Sequence, residues 1–482
     1  MSIPFVILFR TPNGYYFFDV NKNEFVNVQK SSFQYLERLL NGEKSTEPIP
    51  EELAKLQGCG YLATKSSVEE IRHPYSKFIS TFLDRKLPKI TLQLTQNCNF
   101  RCKYCVYSEE HNMKQRTHSN KRMSWETAKK AVDFLLAHSA DSPDVNIGFY
   151  GGEPLLEFPF IQQIVEYSER VFSGKKLTFN ITTNGSLLTD EIIRYFEKHD
   201  VSLMISLDGP KEINDKNRVF ADGRGTFETV MDHIARVREI APKYAEKLQI
   251  SMVMDPLDDF DCINAICLEG HDINQLNIMA SIVDQEYDGK ETEFSEAYTY
   301  KFEYQRFLSI LSALNRFPKS KVSPIVYHTI ASTIADNVKF DAVRGLRKID
   351  APSGPCVPGQ MRLFIDTSGR FFPCERVSEK SPAMCIGRLD KGFDFEQTDH
   401  LLNIAKLTEK TCKNCWCFRY CTICAKKCDV GASELSGDAK LSFCQESKDM
   451  AYSKLRQYLL FRELPFFYAD QTRLVRKEGT VA

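Results

Sequence analysis

Three cysteines, Cys98, Cys102 and Cys105, stand close together in TQNCNFRCKYCVYS, Thr95 to Ser108. Intervals of three and then two residues let a single loop wrap a compact group of sulfur atoms. Three thiolates fill three corners of a [4Fe–4S] cube, whereas a closed structural zinc site takes four ligands. The missing fourth ligand points to a cube whose last iron is open to something else, with zinc as the alternative for any cysteine group. A second cysteine zone lies far downstream. CVPGQMRLFIDTSGRFFPC, Cys356 to Cys374, reads as a hairpin whose DTSG turn, with Gly369, brings two distant thiols together. CKNCWCFRYCTICAKKC and then Cys444 follow. A zinc ribbon is the alternative for that dense run.

The rest of the chain is ordinary. Its 482 residues exceed one hydrophobic core, so two or three domains are expected. A formal charge of −1, with 26% charged residues, excludes a nucleic-acid footprint and a disordered acidic tail. The N-terminal MSIPFVILFR has only a short apolar run with no basic region before it, and no later segment approaches a membrane-spanning length. The expectation is a soluble cytoplasmic protein with no membrane and no nucleic-acid partner. In such a reducing compartment its 16 cysteines are metal ligands or free thiols rather than disulfides. Cys59, Cys262 and Cys267 fall in helical or strand patterns and are expected to be buried thiols.

The elements that must position these residues follow from periodicity. Residues 1–75 show three short strands (PFVILF, GYYFFDV, EFVNV) and two helices (SFQYLERLLNG, stopped by Gly42, and PEELAKLQGCGYL), a small α+β unit. After a linker at 76–88, strands alternate with amphipathic helices over 89–298. Strands are predicted at 90–95, 145–150, 177–183, 202–207, 248–254 and 275–280, with helices such as TAKKAVDFLLAHS and IIRYFEKHD between them. Six such units make an α/β fold, a partial (β/α)6 TIM-like barrel, whose active site belongs at the carboxyl ends of the strands. A helical bridge (299–349), a cysteine-rich iron–sulfur domain (350–450) and a C-terminal extension (451–482) complete the division. The basic HNMKQRTHSNKR at 111–122 reads as a solvated loop, and TRLVRKEG near the end gives no functional signal.

Further motifs fall on the same face of the barrel. FYGGEPLLEF ends the second strand with Gly151, Gly152 and Glu153; glycines there allow close backbone approach to a ligand, and a carboxylate accepts from an ammonium group. ITTNGSLLTD and SLDGPKEINDKNR end the next two strands. CNFRCKYC resembles the CxxxCxxC signature of the radical S-adenosylmethionine (SAM) enzymes, and GGEP, one strand–helix unit later, resembles their motif for the cofactor's amino group. The resemblance implies that the open iron is chelated by the amino and carboxylate groups of SAM and that Tyr104 lies near its adenine. It implies also that Ser206 and Arg218 hold the methionine carboxylate, Arg218 as a charge-assisted donor, and that Asn184 and Asp208 line the pocket. A cap or turn role is the plain alternative for Asn184 and Asp208, and a surface salt bridge for Arg218.

The second zone resembles the SPASM module, which binds two auxiliary clusters, so three [4Fe–4S] clusters are implied in all. Carried over, the first auxiliary cluster takes Cys356, Cys374 and either Cys424 or Cys428; the second takes Cys412, Cys415, Cys421 and Cys444. Cys385 or Cys417 could complete the first cluster or be free. If neither completes it, that cluster has an open iron able to bind a substrate thiolate.

By the same resemblance, one electron passed into bound SAM releases a 5′-deoxyadenosyl radical, which takes a hydrogen from a substrate carbon; no acid–base residue is singled out. Residues 1–75 resemble the recognition element of enzymes that modify ribosomal peptides, which implies a small winged-helix-like α+β unit whose edge strand pairs with the leader of a precursor. Together with PCERVSE and CKNCW this implies a thioether-forming maturase of cysteine-rich peptides, of the ranthipeptide type, served by a flavodoxin- or ferredoxin-like reductant. The rivals are a formylglycine-generating sulfatase maturase, a peptide epimerase or carbon–carbon crosslinker, and a non-catalytic iron–sulfur electron carrier.

Overall fold

The computed structural model describes residues 2–43, 48–107, 115–268, 273, 276–283, 292–338 and 345–463. The start of the basic stretch at 111–122, through residue 114, and the terminal TRLVRKEG lie outside the described residues.

The alternation of strands and amphipathic helices gives six parallel strands: β5 (Lys89–Thr95), β6 (Asp144–Gly151), β7 (Lys176–Thr183), β8 (Val201–Ser206), β9 (Gln249–Met254) and β10 (Asn277–Ile282). They follow β1 (Val6–Arg10), β2 (Tyr15–Asp19), β3 (Glu24–Val28) and the two-residue β4 (Glu70–Ile71), which pairs with β11 (Ile349–Asp350). β5 is buried along almost its whole length, as expected of a parallel strand covered on both faces. β8 alternates: Val201, Leu203 and Ile205 join the core beneath the outer helices, which leaves Ser202, Met204 and Ser206 half-buried on the opposite face. Side-chain caps start the helices between strands, Ser124 accepting from Thr127 N and Thr189 from Ile192 N.

The sheet does not stop at six strands. The hairpin β12 (Leu363–Ile365) and β13 (Arg370–Phe372) adds to the outer side of β5, with β12 parallel to it in the register Leu363↔Ile90, Phe364↔Thr91, Ile365↔Leu92. Then β14 (Gly387–Arg388) and β15 (Gly392–Phe393) follow, giving a mixed order β10-β9-β8-β7-β6-β5-β12-β13-β14-β15. Gly369 turns the hairpin at φ +78°, where a side chain would be strained, and Asp366 Oδ1 accepts from the N–H groups of Ser368 and Arg370. The cysteine-rich region is therefore sewn to the strand that carries the Cys98 loop.

β1–β3 form an antiparallel sheet with two buried faces. Val6, Phe17 and Val28 pack on the helices Lys30–Leu40 and Glu51–Gly58, while Phe9, Phe18 and Val20 pack on Cys412, Phe418, Leu455 and Tyr458. The N-terminal unit thus shares a core with the second cysteine zone. Two boundaries differ from the sequence reading. Ile79–Arg85 is a helix inside the span taken as a linker, because Ile79 and Leu83 pack on Val357 and Leu402. The helix Cys444–Arg462 runs through position 450 because its buried face, Ala451, Leu455 and Tyr458, continues past it. Among the described residues no helix is long and apolar enough to cross a membrane. Cys267 is buried as expected, but Cys59 and Cys262 are exposed: Cys59 ends a helix, and Cys262 lies on the outer face of the helix Phe260–Asn264, whose buried side is Phe260 and Ile263.

Candidate functional site

The Cys98 loop leaves the carboxyl end of β5 and is fixed by backbone bonds at both ends. Arg101 N donates to Val219 O (2.8 Å) and Lys103 N to Asn217 O (3.0 Å), while Gly152 N and Glu153 N donate to Thr95 O and Asn97 O (both 2.9 Å). The last pair explains the two glycines. A Cβ on Gly151 would collide with Thr95 O and one on Gly152 with Asn97 O. Their close approach is to the backbone of the cysteine loop, where the sequence reading had placed a ligand. Gly152→Ala should therefore push the loop off β6. We expect about 1–3 kcal/mol of lost stability, as for overpacking, read as a lowered melting temperature with reduced iron per chain after reconstitution.

Glu153 is fully buried, and its carboxylate accepts from Leu155 N (2.9 Å), Thr183 Oγ1 (2.6 Å) and Asn184 N (2.7 Å). Burial raises its pKa, opposed by those donors. Where an ammonium partner was expected, these three protein donors use the carboxylate to lock the end of β6 to the end of β7. Asn184 takes the turn role that was the plain alternative for it. Its Oδ1 accepts from Ser186 N (2.9 Å) in a turn, while its Nδ2 donates to Asn99 Oδ1 (2.8 Å) and reaches Cys98 Sγ at 3.8 Å.

Tyr104, Asp208 and Arg218 form one buried group. Tyr104 Oη donates to Asp208, Arg218 Nη1 donates to Tyr104 Oη (2.7 Å), and Asp208 Oδ1 accepts from Val253 N (3.0 Å). Arg218 is no surface salt bridge: it is 6% exposed, and its Nε is buried with no hydrogen-bond partner. Ser206 stands half-buried at the end of β8, opposite Ser251.

The three thiols share this neighbourhood. Burial, and then the Glu153 carboxylate, push Cys98 up to about 12; burial pushes Cys102 to about 12 against the pull of the Arg218 guanidinium; and burial raises Cys105. Cys98 is further disfavoured as a thiolate by the other two. As free thiols they keep their protons at neutral pH, so only a strongly cationic centre would deprotonate them. A [4Fe–4S] cube fits this donor set, and an anionic carboxylate fits the unpartnered guanidinium edge beside it. Among the described residues no three His, Cys, Asp or Glu side chains converge on one ion position.

In the second zone, burial and then the nearby Cys424 raise Cys356, and burial, Glu375, Cys356 and Cys424 raise Cys374. Burial, with Cys412 and Cys421 close by, likewise raises Cys415 and Cys444. Cys428 is fully buried beside the second set, and its thiol donates to Cys424 O (3.6 Å). Cys385 is turned onto Gly387 O, and Cys417 onto Ser447 O.

Sequence reasoning missed a buried polar network between the two zones. Glu379, five residues after Cys374, accepts from Gln93 Nε2 and Gln96 Nε2 (both 2.7 Å) and pairs with the fully buried Arg116 (3.4 Å). Gln93 also accepts from Thr367 N (3.1 Å) and donates to Tyr107 Oη (2.9 Å). The available signal was a glutamine interrupting the apolar run of β5.

Residues 92–264 match the family model "Radical SAM superfamily". The chain is 37% identical over 142 residues to the uncharacterized protein MJ0907 of Methanocaldococcus jannaschii, covering 29% of this chain and 46% of that one. It is 23% identical over 377 residues to a cysteine-type anaerobic sulfatase-maturating enzyme of Clostridium perfringens, covering 75% and 95%. The chain spans between a third and a half of the length of the first curated relatives it matches. A solved structure, "Native anSMEcpe with bound AdoMet", superposes with a TM-score of 0.56 at 18% identity over 79% of this chain and 99% of that one, a likeness of fold. Residues 92–264 thus match the Radical SAM superfamily in sequence, and the sheet has the fold of the solved structure it superposes on.

Proposed function

We propose that this chain matures a ribosomally made, cysteine-rich peptide by joining a cysteine sulfur to a carbon of another residue as a thioether. The observation that carries the reading is the set of three thiols, Cys356, Cys374 and Cys424, on the flank of the barrel strand that bears Cys98, Cys102 and Cys105. Three ligands would leave an auxiliary cluster open to a substrate thiolate in a SPASM-like domain, while Cys412, Cys415, Cys421 and Cys444 would close the second. Bound to the open iron of the Cys98 loop, SAM supplies the 5′-deoxyadenosyl radical.

The chain's own residues position and shield. The Arg218 guanidinium, with Ser206 at the end of β8, holds the methionine carboxylate. Tyr104 and Asp208 fix that guanidinium, Asn184 steadies the Cys98 sulfur, and Glu153 with Gly151 and Gly152 sets the loop's height over the strands. The precursor's leader adds to β3, one of the two outer strands of the N-terminal sheet. A flavodoxin- or ferredoxin-like protein supplies electrons in the cytoplasm. In the reaction one hydrogen atom would leave the carbon for the 5′-deoxyadenosyl radical, one proton would leave the thiol, and the one electron left over as the carbon–sulfur bond forms would pass to the auxiliary cluster that holds the thiolate.

The test is the mass of a short cysteine-rich precursor after anaerobic incubation with reconstituted enzyme, SAM and reductant, followed by thiol alkylation. We expect a loss of about 2 Da per event, with one thiol hidden from alkylation each time. Unchanged mass beside abundant 5′-deoxyadenosine would sink the thioether and leave epimerisation. Formylglycine formation is the second reading, favoured by the match over 95% of the sulfatase-maturating enzyme; it would instead give a hydrazide-reactive aldehyde.

A further inference from the structure

Lys440 lies on the short helix Gly437–Ser442, four residues before Cys444, and is only 2% exposed. Its Nζ donates to Cys412 Sγ and to Thr408 Oγ1, both at 3.0 Å, and Thr408 Oγ1 itself stands 3.3 Å from the same sulfur. Cys421 and Cys444 are also within electrostatic reach of this ammonium. Among the described residues no carboxylate pairs with it. Burying an ammonium costs several kcal/mol unless an opposite charge offsets it. A ring of neutral thiols does not, whereas four thiolates around a [4Fe–4S] core carry net negative charge.

We infer that Lys440 is the built-in counter-charge of the cluster held by Cys412, Cys415, Cys421 and Cys444, and that its N–H···S bond to Cys412 raises the reduction potential of that cluster. Hydrogen bonds to the sulfurs and net charge are the protein's main controls over cluster potential. A positive charge in contact with a ligand sulfur stabilises the added electron. Lys440 is a positioning residue, without contact to substrate.

The inference rests on the proposed cluster assignment, so the first measurement separates the two. Iron and sulfide in the reconstituted wild-type chain that account for the Cys98 loop alone would overturn the assignment before any variant is made. With the clusters present, an EPR-monitored redox titration of Lys440→Met should show one cluster reduced about tenfold less readily, a downward shift of about 59 mV for a one-electron couple, with the other clusters unmoved. Lys440→Arg keeps the charge and should stay near the wild-type midpoint. Lys440→Gln keeps a donor without the charge and should fall between. Unchanged midpoints in Lys440→Met and Lys440→Gln at wild-type iron content would overturn the inference. So would loss of that cluster's iron in both variants, since Lys440 would then build the site and not tune it.

Discussion

Cys102→Ala should leave the chain folded and lower 5′-deoxyadenosine production by more than about 100-fold, beyond the roughly 10–100-fold that changes around a metal centre typically cost. The backbone bonds that hold its loop, from Arg101 N and Lys103 N, do not involve the side chain, and alanine removes only a buried sulfur. The loss would thus report ligation and not collapse. The measurement is 5′-deoxyadenosine formed from SAM under dithionite, alongside iron per chain and a melting curve. Iron should fall by one cluster's worth, while the second cysteine zone keeps its own. Cys59→Ala, at an exposed cysteine outside both zones, is the control and should match wild type. Production within a few-fold of wild type in Cys102→Ala would remove the cube from this loop.

Why the barrel could be read before it was seen is a matter of range. Strand and helix periodicity is local, and each of the six parallel strands begins within about two residues of its predicted start because its apolar run meets its own turn signal there. The cysteine spacing is local too, so the first site was legible from one loop. What escaped was set by contacts distant in sequence. Gly151 and Gly152 are shaped by the carbonyls of Thr95 and Asn97, and Glu153 by Thr183 and Asn184. The extension of the sheet by β12 depends on a register between Leu363 and Ile90 that no local pattern contains. Cys424 and Cys428 flank one helical turn, Ala425–Cys428, with Cys424 beside Cys356 and Cys428 beside Cys424, Cys421 and Cys412, a placement that depends on contacts no local pattern contains.

Glu379→Leu should destabilise the chain by about 3–5 kcal/mol, the usual cost of leaving a buried charge without its partner. Arg116 is fully buried, its Nη1 already lacks a partner, and Glu379 is the carboxylate paired with it among the described residues, with Glu375 acting from further away. The same substitution strips the acceptor from Gln93 and Gln96. At about 2–4 °C per kcal/mol for domains of this size, the melting temperature should fall by on the order of 10 °C. Arg116→Met in the Glu379→Leu background should recover much of that loss, because replacing a whole buried pair by apolar groups is often near neutral. Equal melting temperatures for Glu379→Leu and wild type would show that the pair holds nothing together. The chemical consequence separates this network from simple packing. Gln93 is the hinge between β5 and the hairpin, through Thr367 N on one side and Glu379 on the other, and the hairpin leads directly to Cys374. A chain whose hairpin drifts should still cleave SAM, since the Cys98 loop is anchored to the carboxyl end of β6 and to the Asn217 and Val219 carbonyls at the end of the helix Lys211–Asn217. It should no longer bring the substrate sulfur to the radical, so 5′-deoxyadenosine should persist while the crosslinked product disappears.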